Sequence, residues 1–286
     1  MTTTPEDIAR SVTDLVSIPE ICTRLMEVIN DEHRSLDDVA ELIQNDPALT
    51  AHILRLANSP FYGQGGRIDT LPKAMMLTGT QAVVSLVLAT CSVQTLSRLP
   101  QGRIDLHAFW HHAVAVAAIA RALSARHRQA PPDRAFLAGL LHDVGLLALA
   151  VAAPEMATLL EVKRNSWPGP SYQLEETWMG YHHGHVGAAL LRRWGFPDCI
   201  TVAVANHHEP RAEDGHYLLQ LTVQAADAIA HRDDEGPVKN KETLPWPDAA
   251  LEALGLDRGV VDEVQTDVRQ HMDQLARMIM QPARAA

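Results

Sequence analysis

Cysteine is scarce. The chain of 286 residues holds three, Cys22, Cys91 and Cys199, far apart and in no Cys-x-x-Cys spacing. That argues against a disulfide framework and a thiolate zinc site, and predicts buried free thiols in a reducing cytosol. Aromatic residues are few too, at 5%, whereas Ala and Leu abound, and strand-period alternation is missing. Composition therefore favours packed helices over sheets. Positive charge is in deficit, with a formal net charge of -11. An acidic chain gains nothing from the counterion release that drives nucleic-acid binding, and it offers an anionic membrane no basic cluster. The most apolar runs, 82–93 and 113–120, are too short to span a bilayer. Met1–Asp7 has no basic segment leading into an apolar one, so no signal peptide is expected. A cytoplasmic protein with neither nucleic acid nor membrane as partner is the expectation.

Apolar residues make up 47% of the chain, enough for a sizeable core, and histidine is the outlier at 15 residues. Several histidines come as doublets: His111-His112, His182-His183 and His207-His208. Helix signals recur along the chain. Ile18-Pro19-Glu20 opens one helix, Ser35-Leu-Asp-Asp38 resembles a capping box, and Asn45-Asp46-Pro47 stops one helix and starts the next. The two short helices 36–45 and 47–57 could form a helix-turn-helix. Only His52 and Arg55 could read bases, however, so packed helices are the better reading. Gln64–Arg67 reads as a loop. Gln81–Leu96 is apolar nearly all round, hence central. A long helix is predicted over 106–127, followed by one from about Asp133. Residues 257–280 form an amphipathic helix that packs on the body or on a partner. The expected organisation is an N-terminal helical half over 1–102 and a helical core over 103–232. An exposed linker follows over 233–256, then a C-terminal helix and tail over 257–286.

Within the apolar stretch Leu137–Ala148 sits an adjacent His142-Asp143. Burying both groups in one apolar helix is costly unless something pairs with them, and a metal ion would serve both. Further polar residues interrupt apolar helix faces: His112, His183, His207, His208 and Asp227. Imidazoles and carboxylates together suit borderline divalent metals such as iron, manganese, nickel or zinc. On a helix the adjacent pairs His142-Asp143 and His207-His208 would each project about 100° apart, so a carboxylate could bridge two ions.

The order His112…His142-Asp143…His183…His207-His208…Asp227 resembles the HD superfamily of metal-dependent phosphohydrolases. The stretch from about Leu15 to Ile229 is similar, more specifically, to the HDOD domain, the HD-related output domain of bacterial signalling proteins. The match rests on three groups of residues. The first is Ile18-Pro19 with Asn45–Leu49 and Leu54–Ser59. The second is Phe109–His112 with Gly139–Gly145. The third is Gly180–His183, Val186-Gly187, Trp194–Pro197 and His207–Pro210. The resemblance implies an all-α, HD-like helical bundle with an N-terminal helical subdomain, and one or two divalent ions, iron or manganese favoured. Its implied ligands are His112, His142, Asp143, His183, His207, His208 and Asp227, with His112 and His183 chosen within their doublets. In the cyclic-dinucleotide phosphodiesterase branch a lysine follows the His-Asp-x-Gly; here Leu146 stands there. A transition-state phosphate would want that cation.

Three functions follow. The preferred one is a signal-transduction output module with a non-catalytic metal site, a signalling protein partner and a possible homodimer through the C-terminal helix. The second is a metal-dependent phosphohydrolase acting on nucleotides or cyclic dinucleotides, with His142 and Asp143 at its centre. Arg192, Arg193, Lys163 and Arg164 are then the nearest basic candidates for phosphate. The third is a di-iron redox or oxygen sensor.

Overall fold

A computed structural model describes residues 3–30, 36–62, 68–100, 104–128, 130–233 and 244–280. Ser35, the loop 64–67, Gln101-Gly102 and most of the 233–247 stretch lie outside the described residues. Among the described residues there are sixteen α-helices and no strand, as expected for an all-α bundle. The N-terminal half holds α1 (Pro5–Leu15), α2 (Glu20–Asn30), α3 (Leu36–Gln44), α4 (Pro47–Ala57), α5 (Leu71–Thr78) and α6 (Thr80–Leu96). The second half holds α7 (Leu106–His127), α8 (Pro132–Leu141), α9 (Val144–Ala152), α10 (Pro154–Arg164), α11 (Ser171–Met179), α12 (His183–Arg193), α13 (Asp198–Ala205) and α14 (Tyr217–Asp233). Two more, α15 (Asp248–Leu254) and α16 (Arg258–Met280), close the chain.

Short polar residues start these helices by accepting from otherwise orphaned amides. Asp46 accepts from Leu49 N at 2.9 Å and Asp105 from His107 N at 3.0 Å. Gly79, at φ 92°, lets α5 turn sharply into α6. Asn58, in the Leu54–Ser59 motif, has a structural job: its side chain donates to Ile68 O at 2.7 Å and accepts from Ile68 N at 2.8 Å. It thereby pins the chain that leads into α5.

One apolar core runs through both halves. Helix α7 lies centrally, against α8, α14 and α16, and α1 reaches across to α12 and α9. The apolar stripe of α16, including Val261, Val264, Val268 and Leu275, is buried, and the helix packs on α7, α6 and α4. The C-terminal helix therefore spends its apolar face on the body.

Three expectations need correction. Cys22 and Cys91 are a disulfide pair, not free thiols. Helix α2 packs on α6, which brings together two cysteines 69 positions apart, a proximity that sequence spacing does not reveal. Cys199 alone is free, and it is buried. Part of the expected linker 233–256 is folded, because α15 buries Ala250, Leu251 and Leu254. Finally, Pro132–Ala152 is 21 residues long and apolar enough to cross a membrane, although 72% of its span-length window is buried inside the protein. His142-Asp143 divides it, so the amino-acid order shows two short apolar runs in place of one long one.

Candidate metal centre

Two close helix approaches assemble the site. Gly139 on α8 lies so near α7 that a Cβ there would sit 3.0 Å from Ala117 Cα. That contact brings His142 towards His112, with ring centroids 5.4 Å apart. At Gly145 a Cβ would collide with the His183 carbonyl oxygen and lie 2.7 Å from Gly187 N. Backbone therefore touches backbone where α9 crosses α12, and Asp143 meets His183 beside the crossing.

Leu137–Ala148 is not one helix. It breaks at His142-Asp143, where Asp143 takes φ -101°, ψ 4° between α8 and α9. The carboxylate does not cap α9; it faces three imidazoles instead. His207-His208 likewise lie beyond the end of α13 at Ala205. The 100° helical projection expected for both pairs therefore fails. Turns aim them; the second runs into Pro210, whereas His142-Asp143 itself holds neither Pro nor Gly.

All seven expected residues converge. His183 Nε2 is 3.0 Å from Asp143 Oδ1, and His207 Nε2 is 3.7 Å from the same oxygen. His142 Nε2 stands 3.3 Å from Asp143 Oδ2 and 3.5 Å from Asp227 Oδ1. His112 Nε2 is 3.1 Å from Asp227 Oδ1, and His208 Nε2 is 3.0 Å from His183 Nε2. Asp143 thus sits between a set around Asp227 and a set around His183.

Hydrogen bonds fix several tautomers. His142 Nδ1 donates to Gly139 O at 2.7 Å and His207 Nδ1 to Val204 O at 2.8 Å. Glu175 Oε2 accepts from both the backbone N and the Nδ1 of His183, at 2.7 and 2.8 Å. Each Nε2 is left facing carboxylates or another imidazole. The buried Nε2 atoms of His142 and His207 make no hydrogen bond.

The electrostatics are those of carboxylates and imidazoles crowded together with little solvent between them. Burial opposes ionisation of Asp143 and Asp227, yet the surrounding histidines hold both well below the usual carboxylate range. Burial also opposes a charged His142, but Asp143 and then Asp227 push it up to about 10. His183 is raised as well, by Glu175 and Asp143 against its burial. His207 goes the other way: burial, then its charged neighbours His142 and His183, push it down to about 3. With Nδ1 donating to Val204 O, its Nε2 presents a lone pair towards Asp143 Oδ1 at 3.7 Å. Lone pair against lone pair is unfavourable unless a cation lies between them. Groups of His183, His207 and His208, of His142, His207 and Asp227, and of His112, His142 and Asp143 each bring ligand atoms within 4.8 Å of one another and can hold a metal ion. The donors are imidazole and carboxylate without thiolate, which suits borderline divalent metals.

The structure adds residues that sequence reasoning missed. Glu175 orients His183, as carboxylates orient metal-binding histidines elsewhere. His231, one turn after Asp227 on α14, lies 3.7 Å from Asp227 Oδ1 and stacks on His112 with centroids 4.5 Å apart. Its signal was legible as an i,i+4 pair with Asp227. Tyr172 stacks on His208 at 4.4 Å. Within the doublets, His111 lies 3.8 Å from Asp273 on the surface, and the His182 ring lies against His185 at 4.1 Å while also approaching His208 at 5.4 Å. Three of the four basic residues considered for phosphate have partners elsewhere. Arg192 is 4.0 Å from Glu6, Arg193 donates to Thr13, and Lys163 lies over Trp178. His52, considered for base reading, is buried and bonded to Arg55.

Known proteins share this fold. A candidate phosphohydrolase of Shewanella amazonensis SB2B superposes with a TM-score of 0.74 at 24% identity, covering 95% of this chain and 97% of that one. A candidate signal transduction protein of Marinobacter aquaeolei VT8 gives 0.71 at 25%, covering 93% and 60%. An HDOD domain protein of unknown function from Geobacter sulfurreducens gives 0.68 at 24%, covering 96% of each. An uncharacterized protein of Treponema pallidum (strain Nichols) is 28% identical over 240 residues, which is 80% of this chain; the chain spans 46% of that relative's length. The family model for the HDOD domain matches residues 15–210, so the chain belongs to the HDOD domain family.

Proposed function

We propose that this chain is a signal-transduction output module whose metal cross-links helices rather than turning over a substrate. The observation that carries the metal is the buried His207, whose Nδ1 meets Val204 O at 2.8 Å and whose Nε2, without a hydrogen-bond partner, lies 3.7 Å from Asp143 Oδ1. His112, His142 and Asp227 would hold one ion; His183, His207 and His208 would hold a second, with Asp143 reaching both. A bound divalent ion would take the place of the imidazolium protons that otherwise balance Asp143 and Asp227. Leu146 stands where phosphodiesterase chemistry would want a lysine, and Arg192, Arg193 and Lys163 face surface partners. The likeness to the Marinobacter signalling protein supports the output role, with a signalling protein as partner.

Elemental analysis of protein purified without chelator tests the metal. We expect bound iron or manganese, lost in the His142→Ala, Asp143→Ala double variant together with a fall in melting temperature of several degrees. Unchanged metal content and unchanged melting temperature in that variant would refute the reading.

One observation favours phosphohydrolysis as a second reading. The side chains of His112 and Asp143 keep 13% and 16% of their exposure, so solvent reaches the cluster. Turnover of nucleotides or cyclic dinucleotides by manganese- or iron-loaded protein, abolished by Asp143→Ala, would establish it.

A further inference from the structure

We propose that a cavity between α6, α8 and α13, separate from the metal centre, binds a small monocarboxylate with a short apolar tail. The cavity measures about 110 Å³ and is lined by Gln81, Ser85 and Leu88 of α6, Arg134 and Leu137 of α8, and Ile200 of α13. Ser85 is 0% exposed, and its hydroxyl makes no hydrogen bond. Thr90 and Ser92 of the same helix donate to Leu86 O at 2.8 Å and Leu88 O at 2.7 Å, whereas Thr95 is unpaired like Ser85 but lines no part of this cavity. A buried hydroxyl left unpaired costs about 1–3 kcal/mol, so a ligand that bonds it repairs a standing deficit.

Arg134 supplies the charge. Its neighbour Asp133 is taken by Arg121 at 3.3 Å; Arg134 makes no ion pair within 4.0 Å among the described residues, although it and Asp198 both influence the Cys199 thiol on the cavity wall. A guanidinium fork fits a carboxylate through two parallel hydrogen bonds. Leu88, Leu137 and Ile200 present apolar wall. The volume is somewhat below the roughly 150 Å³ that accommodates benzene, which sets a ligand of about four to six heavy atoms. One guanidinium and neutral donors match a single negative charge. A phosphate dianion would exceed that charge and press its oxygens against leucine. The site is also well placed to matter, since α8 runs on to His142 and the chain after α13 to His207.

Isothermal titration of the full chain with sodium butyrate tests this site. One saturable site is expected, with no binding of butyramide, the uncharged isostere. Arg134→Gln should weaken butyrate by about 10- to 100-fold, the loss of a charge-assisted hydrogen bond. Arg134 is only partly buried, in the first turn of α8, so its variant should melt like the parent. Ser85→Ala should raise the melting temperature of ligand-free protein while weakening butyrate. No saturable heat at millimolar butyrate, equal affinity for butyramide, preference for inorganic phosphate, or unchanged affinity in Arg134→Gln would each overturn the assignment. Metal content enters none of these readouts, so the metal reading can fail without affecting them.

Discussion

In α6 and in the α8–α9 stretch the chain buries polar side chains by opposite means. Thr90 and Ser92 of α6 turn back onto carbonyls of their own helix one turn earlier. Their polarity is settled locally and points at nothing. His142 and Asp143 do the reverse. The His142 ring spends Nδ1 on Gly139 O and turns Nε2 outward, while Asp143 leaves its helix amides uncapped and faces His183 and His207. A buried polar group satisfied within its own turn is architecture. One that spends a single hydrogen bond locally and aims the other atom at a shared point is poised for a ligand. Ser85 and Thr95 of α6 are left unpaired, and beside Ser85 a cavity opens.

The sharpest way to break the contrast is to separate α9 from α12. Gly145→Ala forces a methyl group into the His183 carbonyl and should cost about 3 kcal/mol or more in chemical denaturation, with metal lost alongside. A smaller effect comes from His52, buried on α4 and pushed down to about 4, first by burial and then by Arg55. The unfolded chain, with histidine near its ordinary pKa of about 6.5, binds more protons across that interval. The contribution is therefore complete above about pH 6.5 and is lost as pH falls towards 4, amounting to about 3 kcal/mol at most. Denaturant titrations at several pH values should show a shallower slope in His52→Leu than in the parent, the remainder coming from other buried histidines such as His207. Ser92→Ala, on the silent side of the comparison, should move stability by no more than about 1 kcal/mol and leave metal content unaltered. His111→Ala should do least, within about 0.5 kcal/mol, because its Asp273 contact is solvent-exposed. Loss of metal in that variant would reverse the choice between His111 and His112.

Much of this was legible in the amino-acid order. Helical periodicity and the Pro, Thr and Asp at helix starts place most of the elements. The seven convergent residues stand out because a histidine or aspartate that interrupts an apolar helix face must find a partner once buried. The misses share a cause. Glu175 lies in an ordinary polar helix eight positions before His183, and only the fold turns it inward. The break at His142-Asp143 has no breaker residue; tertiary contacts at Gly139 and Gly145 impose it. The Cys22–Cys91 pair depends on α2 lying against α6, which no local pattern encodes.

The division of Pro132–Ala152 has a consequence for the chain before it folds. Emerging from the ribosome, those 21 residues have the length and apolarity of a membrane span. An aspartate near the middle of such a segment adds about 2.5–3.5 kcal/mol to the cost of entering a bilayer. Asp143, with His142 beside it, sits near that midpoint. The pair that gathers an ion in the folded protein therefore also marks the nascent segment as a poor guest for lipid, and replacing both with leucine would remove that safeguard together with the site.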